Sequence, residues 1–348
     1  MEFKPALAGL RGLAACLVLI SHLALYDMLP HFPFLGLGAV GVMLFFVLSG
    51  YLMAAIYLPK HATFTTIWLF LTSRFARVYP LFALTIIVSA IGTTHFAIGP
   101  LFSLSYHSAF QHLTLIEGKW VFWTIVVEMK FYLLFLLFWL LTTRVRWNTR
   151  LLLVTGIYLA CVFIPLLPRL SIFQNLQVFL VGMMLAFIEH RIPKSMSVFT
   201  TSAVVLLPAI AAFAMLSDGV DKYEIYRSPF AHLAMAFLVA AALVKNTKDA
   251  KILSSKVFVS LGDWSFGIYL LHIPILRALH NLASFLEVHL IWMVFPAIAV
   301  TLGLSALVFR YFEAPVRKRI VAVLNAHFTR QGEPYEQGTS HAQNFRKR

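Results

Sequence analysis

The sequence predicts an all-α integral membrane protein with about ten transmembrane helices and both termini cytoplasmic. Three observations predict it. Hydrophobic residues fill 60% of the 348 positions and charged residues only 12%, a balance far from that of an ordinary soluble domain. The apolar residues gather into runs near the ~20 residues that a helix needs to cross a bilayer. The basic residues, which give a net charge of +14, fall in the gaps between runs and alternate in density from gap to gap.

Candidate spans lie at roughly 6–26, 36–58, 79–98, 120–142, 151–167, 176–190, 198–216, 229–244, 257–279 and 291–312. With the N-terminus cytoplasmic, the inside gaps hold Lys60, Arg74, Arg77, Arg144, Arg146 and Arg150, then Arg191, Lys194 and the lysines from Lys245 to Lys256. The outside gaps hold only Lys119, Arg169, Lys222 and Arg227. This organises the chain as one membrane domain over residues 1–320 and a polar cytoplasmic tail over 325–348, expected to be disordered because it lacks hydrophobic periodicity. The basic charge is not gathered on a soluble module, so the expected partner is the lipid bilayer and not nucleic acid. Cys16 and Cys161 sit inside apolar runs with no zinc or disulfide spacing, and no metal is expected. Arg11 interrupts the first apolar run, which argues against a cleaved signal peptide.

The first run, from Leu7 to Tyr26, carries both Arg11 and His22. Eleven residues of helix bring the two side chains to one face, about 16 Å apart along the axis. A charge at that depth normally faces a protein interior or a wet cavity. In the second run, Gly36, Gly38, Gly41 and Gly50 suit close helix approach. In the loop expected before the third, Arg74 and Arg77 would stand side by side on a helical turn just ahead of Pro80. Guanidinium forks at that spacing match phosphate oxygens, although any inner membrane boundary also gathers arginine.

The fourth run places Glu128, Phe131 and Tyr132 on one face and turns Lys130 to another. Glu128 lies roughly 12 Å in from the outer end and His22 also falls in the outer half, so the two depths are compatible with a contact. In the ninth run, Ser265, Tyr269 and His272 form one stripe, which would either knit helices together or serve the chemistry. No internal repeat is visible.

Together these stretches resemble the membrane acyltransferase-3 family, the O-acetylating proteins of bacterial cell-surface polysaccharides and some small molecules. The resemblance runs from Leu7 to about Arg317. It is carried by Arg11 and His22, by Leu44 to Gly50, and by Arg74 and Arg77 with Tyr79 and Pro80 following. It continues in Trp123, Thr124, Glu128, Phe131 and Tyr132, in Tyr269 to Pro274, and in Glu313 and Pro315. The chain is similar to the stand-alone form, without a fused esterase-like domain.

The resemblance implies a multi-pass protein of the bacterial inner membrane that takes an acyl group, most often acetyl, from cytoplasmic acyl-CoA (acetyl-CoA). The acceptor it implies is a hydroxyl of a cell-surface glycan or glycolipid precursor, with polysaccharide-biosynthesis proteins as possible partners. Arg74 and Arg77 would then hold the phosphates of the donor. His22 would act as general base, Glu128 would orient its imidazole, and Tyr132 or a backbone donor would meet the developing oxyanion. Arg11 would line the path between, with Ser265, Tyr269 and His272 in support. A covalent acyl-histidine relay would use the same residues. The rival reading is a secondary transporter in which the same arginine, histidine and glutamate form a relay.

Overall fold

A computed structural model describes residues 4–34, 36–95, 102–163, 172–192, 224–244 and 248–330. In chain order the helices are α1 (Pro5–Leu25), the single turn α2 (His31–Phe34), α3 (Leu37–Tyr57) and α4 (Phe64–His95). There follow α5 (Tyr106–Leu113), α6 (Phe122–Thr142), α7 (Trp147–Phe163) and α8 (Ile172–Ile188), the last extended by a 3₁₀ turn at Glu189–Arg191. A 3₁₀ turn at Glu224–Arg227 leads into α9 (Pro229–Leu243), α10 (Lys248–Leu253) and α11 (Lys256–Phe285). The final stack runs from a 3₁₀ turn at Leu290–Met293 through α12 (Val294–Val308) and a π-turn at Phe309–Glu313 into α13 (Ala314–Arg330).

All regular structure among the described residues is helical. Seven helical segments are long and apolar enough to cross a bilayer: α1, α3, α4, α6, α8 with its extension, α11, and the stack from Leu290 to Ala326. The chain is a multi-pass helical membrane protein. Two of the ten expected spans, 151–167 and 229–244, are the shorter apolar helices α7 and α9. A third, 198–216, lies outside the described residues.

Two element boundaries differ from expectation. Arg74 and Arg77 are not in a loop, because α4 begins ten or more residues before the expected start at 79 and runs unbroken past Pro80. Thr63 and Thr66 start it by exchanging backbone N–H to hydroxyl hydrogen bonds of 2.9 and 3.3 Å, the reciprocal arrangement of a capping box. Hydropathy falls where arginine enters, but backbone helicity does not depend on hydropathy. At the other end, the polar segment expected from Asn325 begins inside α13. Asn325 is buried there and accepts a 3.3 Å hydrogen bond from Thr72 of α4. Residues 331–348 lie outside the description.

α1 is the central helix and packs between α3 and α11. The approach is close enough that backbones touch. A Cβ at Gly262 would lie 2.0 Å from the Ala8 carbonyl oxygen, and one at Gly12 would lie 2.7 Å from the Gly262 nitrogen. α3 and α8 meet the same way, through Gly50 against the Phe179 carbonyl and Gly182 against the Val47 carbonyl. Beside them Phe179 stacks between Phe46 and Phe131, with ring centroids 4.4 and 4.0 Å apart. The start of α1 is tied down by Lys4, which pairs with Glu189 and donates to the Tyr51 hydroxyl, while Tyr51 donates to Glu189 at 2.6 Å.

Such contacts leave no room for relief by side-chain rotation. Gly262→Val is expected to cost about 3 kcal/mol or more and to lose the monodisperse peak in size-exclusion chromatography. Gly303→Ala should behave as wild type, because nothing lies within 4 Å of its Cβ position. Equal behaviour of the two variants would show that the α1–α11 approach is looser than described.

Candidate active site

The polar residues of α1 lead to two clusters, one at each end of a seam through the bundle. At the first end stands Arg11, half-buried, with its Nε atom buried and without a hydrogen-bond partner. Its charged and phenolic neighbours, strongest first, are Arg77, Glu128, Tyr132 and Arg74. Arg74 and Arg77 project from successive turns of α4, as their spacing requires. Arg74 also lies over the Tyr57 ring, 6.0 Å from its centroid.

Glu128 belongs to this arginine end. Its Oε1 accepts hydrogen bonds from Ser49 at 2.5 Å and Tyr132 at 2.6 Å. α1 and α3 pack antiparallel, and this sets Ser49, the partner of Glu128, apart from His22 along the seam. Gly38 meets Ser21 and the His22 ring edge, and Ser49 lies eleven residues further along α3, roughly 16 Å away. Position along one helix does not specify which neighbour a carboxylate meets. Tyr132 moves with it: its hydroxyl is committed to Glu128, at the arginine end and away from His22. Lys130 is half-buried on the stripe of α6 that continues through the exposed Leu133 and Leu137, on a different side from Glu128 as its spacing predicts.

The second end is a pair of imidazoles. His22 of α1 and His272 of α11 meet edge to face, with ring centroids 4.7 Å apart. The Nδ1 of His22 is 2.8 Å from the Val18 carbonyl oxygen and that of His272 is 2.9 Å from the Ile268 carbonyl oxygen. A carbonyl oxygen only accepts, so each Nδ1 carries the proton and each neutral ring has its lone pair on Nε2. His272 is fully buried, and its Nε2 has no hydrogen-bond partner. His22 is the more accessible of the two. Both rings are therefore held in the tautomer whose Nε2 is the basic nitrogen, and the His22 ring is the less buried of the two.

The stripe on α11 divides its work. Ser265 donates to the Gly262 carbonyl of its own helix at 2.8 Å and faces the packing with α1. Tyr269 donates to the Val121 carbonyl at 3.0 Å and accepts from Thr124 at 2.8 Å, which joins α11 to the start of α6. Its ring lies beside His272, 5.9 Å between centroids. Thr124 is one turn from Glu128, so Tyr269 stands between the carboxylate and the histidines.

Two charged residues of the arginine end, Glu313 and Arg317, are not among the site residues expected from the sequence. Glu313, at the end of the π-turn, is buried and its Oε2 has no hydrogen-bond partner. Its charged neighbours are Arg77, Arg317, Arg11 and Asp263. Arg317 follows Glu313 by four residues and so shares its helix face. The available signal was this i, i+4 pair just past an apolar run, but a basic exit from a membrane span hides it. No cluster of three or more His, Cys, Asp or Glu side chains among the described residues has metal-binding geometry.

Comparison with known proteins identifies the family. A family model described as an acyltransferase domain matches residues 4–310. The chain is 26% identical over 360 residues to the peptidoglycan O-acetyltransferase OatA of Listeria monocytogenes, a match covering 91% of this chain and 56% of that protein. It thus spans little more than half the length of that relative. It is also 26% identical over 318 residues to the acyltransferase MdmB of Streptomyces mycarofaciens, covering 80% of each. No solved structure matches the chain. A matched region that holds α1, both histidines and the paired arginines of α4 within one family domain leads to one conclusion: the chain belongs to the acyltransferase-3 family.

Proposed function

We propose that this protein is a membrane O-acyltransferase that moves an acetyl group from cytoplasmic acetyl-CoA to a hydroxyl of a cell-surface glycan or glycolipid precursor. The observation that carries the proposal is the division of one helix, α1, between an arginine cluster and an imidazole pair roughly 16 Å apart. Phosphates held by Arg74 and Arg77 at the cytoplasmic side would leave the thioester arm to pass Arg11 toward His22. The orientation follows from the positive-inside distribution of the loops, and the setting is the bacterial inner membrane. The family gives the transporter reading no support.

In this mechanism the Nε2 atom of His22 takes the proton of the acceptor hydroxyl as that oxygen attacks the thioester carbonyl. The C–S bond then breaks, and His22 returns the proton to the departing CoA sulfur. His272 supports the charged imidazole through its own ring and keeps water from that side. Positioned acid–base catalysis of this kind contributes ~10²–10⁴-fold. The Tyr269 ring lies beside His272, while its hydroxyl is bonded to Thr124 and to the Val121 carbonyl.

The donor half of the proposal is tested by CoA binding. Arg74→Gln combined with Arg77→Gln should weaken CoA affinity at least about tenfold, the loss of two charge-assisted phosphate contacts. The double variant should otherwise insert and purify like wild type. Unchanged affinity would leave the pair as topology signals only. The transfer half is tested by thiol release from acetyl-CoA in nanodiscs with a panel of glycan acceptors, where release that does not depend on any acceptor would count against O-transfer.

A further inference from the structure

The arginine end contains more guanidinium groups than two helical turns of α4 supply. Arg11, Arg77 and Arg317 come from three different helices, and Arg77 is the strongest charged neighbour of both others. Among the described residues, none of these three guanidiniums makes a hydrogen bond or closes an ion pair, although Glu313 lies within electrostatic reach of all of them. Three half-buried positive groups without direct partners repel one another unless an anion enters between them. Each offers up to five donors in a planar fork suited to phosphate oxygens.

The π-turn explains how Arg317 arrives there. The buried stripe of α12 runs Ala297, Thr301, Ser305, and a continuous α-helix would carry it to residue 312. The extra residue of the π-turn passes the buried position to Glu313 and turns Arg317, one turn later, toward Arg77. α13 is fixed in that rotation by the Trp68 indole, which donates to the Leu324 carbonyl at 2.9 Å, and by Thr72 on Asn325. Glu313, Arg317, Leu324 and Asn325 all lie beyond the region matched by the family model.

The order of the arginines has a chemical meaning. Arg317 is most strongly felt by Arg77, Glu313 and Asp263, whereas Arg11 is felt by Arg77, Glu128 and Tyr132. Arg77 is therefore the neighbour common to both, while Arg11 and Arg317 are not among each other's strongest neighbours. In acetyl-CoA the groups follow in the order thioester, pantetheine arm, pyrophosphate, ribose 3′-phosphate. We propose that Arg317, held in register by the π-turn and Glu313, forms with Arg77 a separate subsite for the 3′-phosphate of the donor, so that the protein selects CoA over its dephosphorylated form. This rests on the acetyl-CoA reading above and adds the residue that would set nucleotide specificity.

The test titrates CoA and dephospho-CoA onto the full chain in nanodiscs, for wild type, Arg317→Gln, Arg317→Lys, Arg77→Gln and the exposed neighbour Lys318→Gln. Wild type and Lys318→Gln should bind CoA about tenfold or more tighter than dephospho-CoA. Arg317→Gln should bind the two equally, with the dephospho-CoA affinity unchanged, and Arg317→Lys should fall between. Arg77→Gln should weaken both. If Arg317→Gln does not purify as folded protein, a full wild-type preference in Arg317→Lys overturns the inference. So does equal binding by wild type, or a preference that survives in folded Arg317→Gln; each leaves the donor reading intact. Failure of wild type to bind either nucleotide overturns both.

Discussion

His22→Gln is expected to lower the rate of acetyl transfer by at least about 100-fold while leaving CoA binding and thermal stability near wild type. The geometry makes the three readouts separable. The His22 ring is half-buried at the end of the seam away from the arginines, so removing its base does not disturb the phosphate contacts. Its Nδ1 hydrogen bond to the Val18 carbonyl is made within its own helix. His272→Gln should cost less in rate and more in stability, because that ring is fully buried against α1. The measurement is acceptor-dependent thiol release from acetyl-CoA with purified variants, alongside CoA affinity and a melting curve. Undiminished turnover in His22→Gln would remove it as the base. Equal losses of rate and stability in both variants would make the pair a packing feature.

The part of this arrangement that was legible in the sequence is the part set by periodicity within one helix. Arg11 and His22 on one face of α1, Arg74 beside Arg77, and Lys130 turned away from Glu128 all follow from residue spacing and hold in the structure. What spacing could not give is the neighbour across a helix interface. Glu128 has partners in Ser49 and Tyr132, and arginine neighbours, that depend on how α3 and α1 pack beside α6. The start of α4 was misplaced because charge was read as a boundary, whereas a helix continues through charge when a neighbouring helix covers it. The meeting of Glu313 and Arg317 with Arg77 is hidden for a related reason: one π-turn shifts the face of everything after it, and that shift leaves no mark in hydropathy.

Glu128 supplies the second large effect. Were the carboxylate an orienting partner for His22, Glu128→Gln would lower the rate and leave CoA affinity and stability alone. In the structure it accepts from Ser49 and Tyr132 and faces Arg11 and Arg74. Replacing it by the neutral amide keeps the shape but removes the negative charge that offsets two arginines, which is destabilising. Glu128→Gln should therefore lower the melting temperature of the ligand-free protein by several degrees and lose activity with it. Added CoA should restore much of that stability, because the phosphates supply the missing negative charge to the same arginines. Wild type should gain less from the same addition, so the two melting curves converge at saturating CoA. A Glu128→Gln variant with a normal melting temperature, normal CoA affinity and a selective loss of rate would place the carboxylate back beside the imidazole and overturn the arrangement described for this end of the seam.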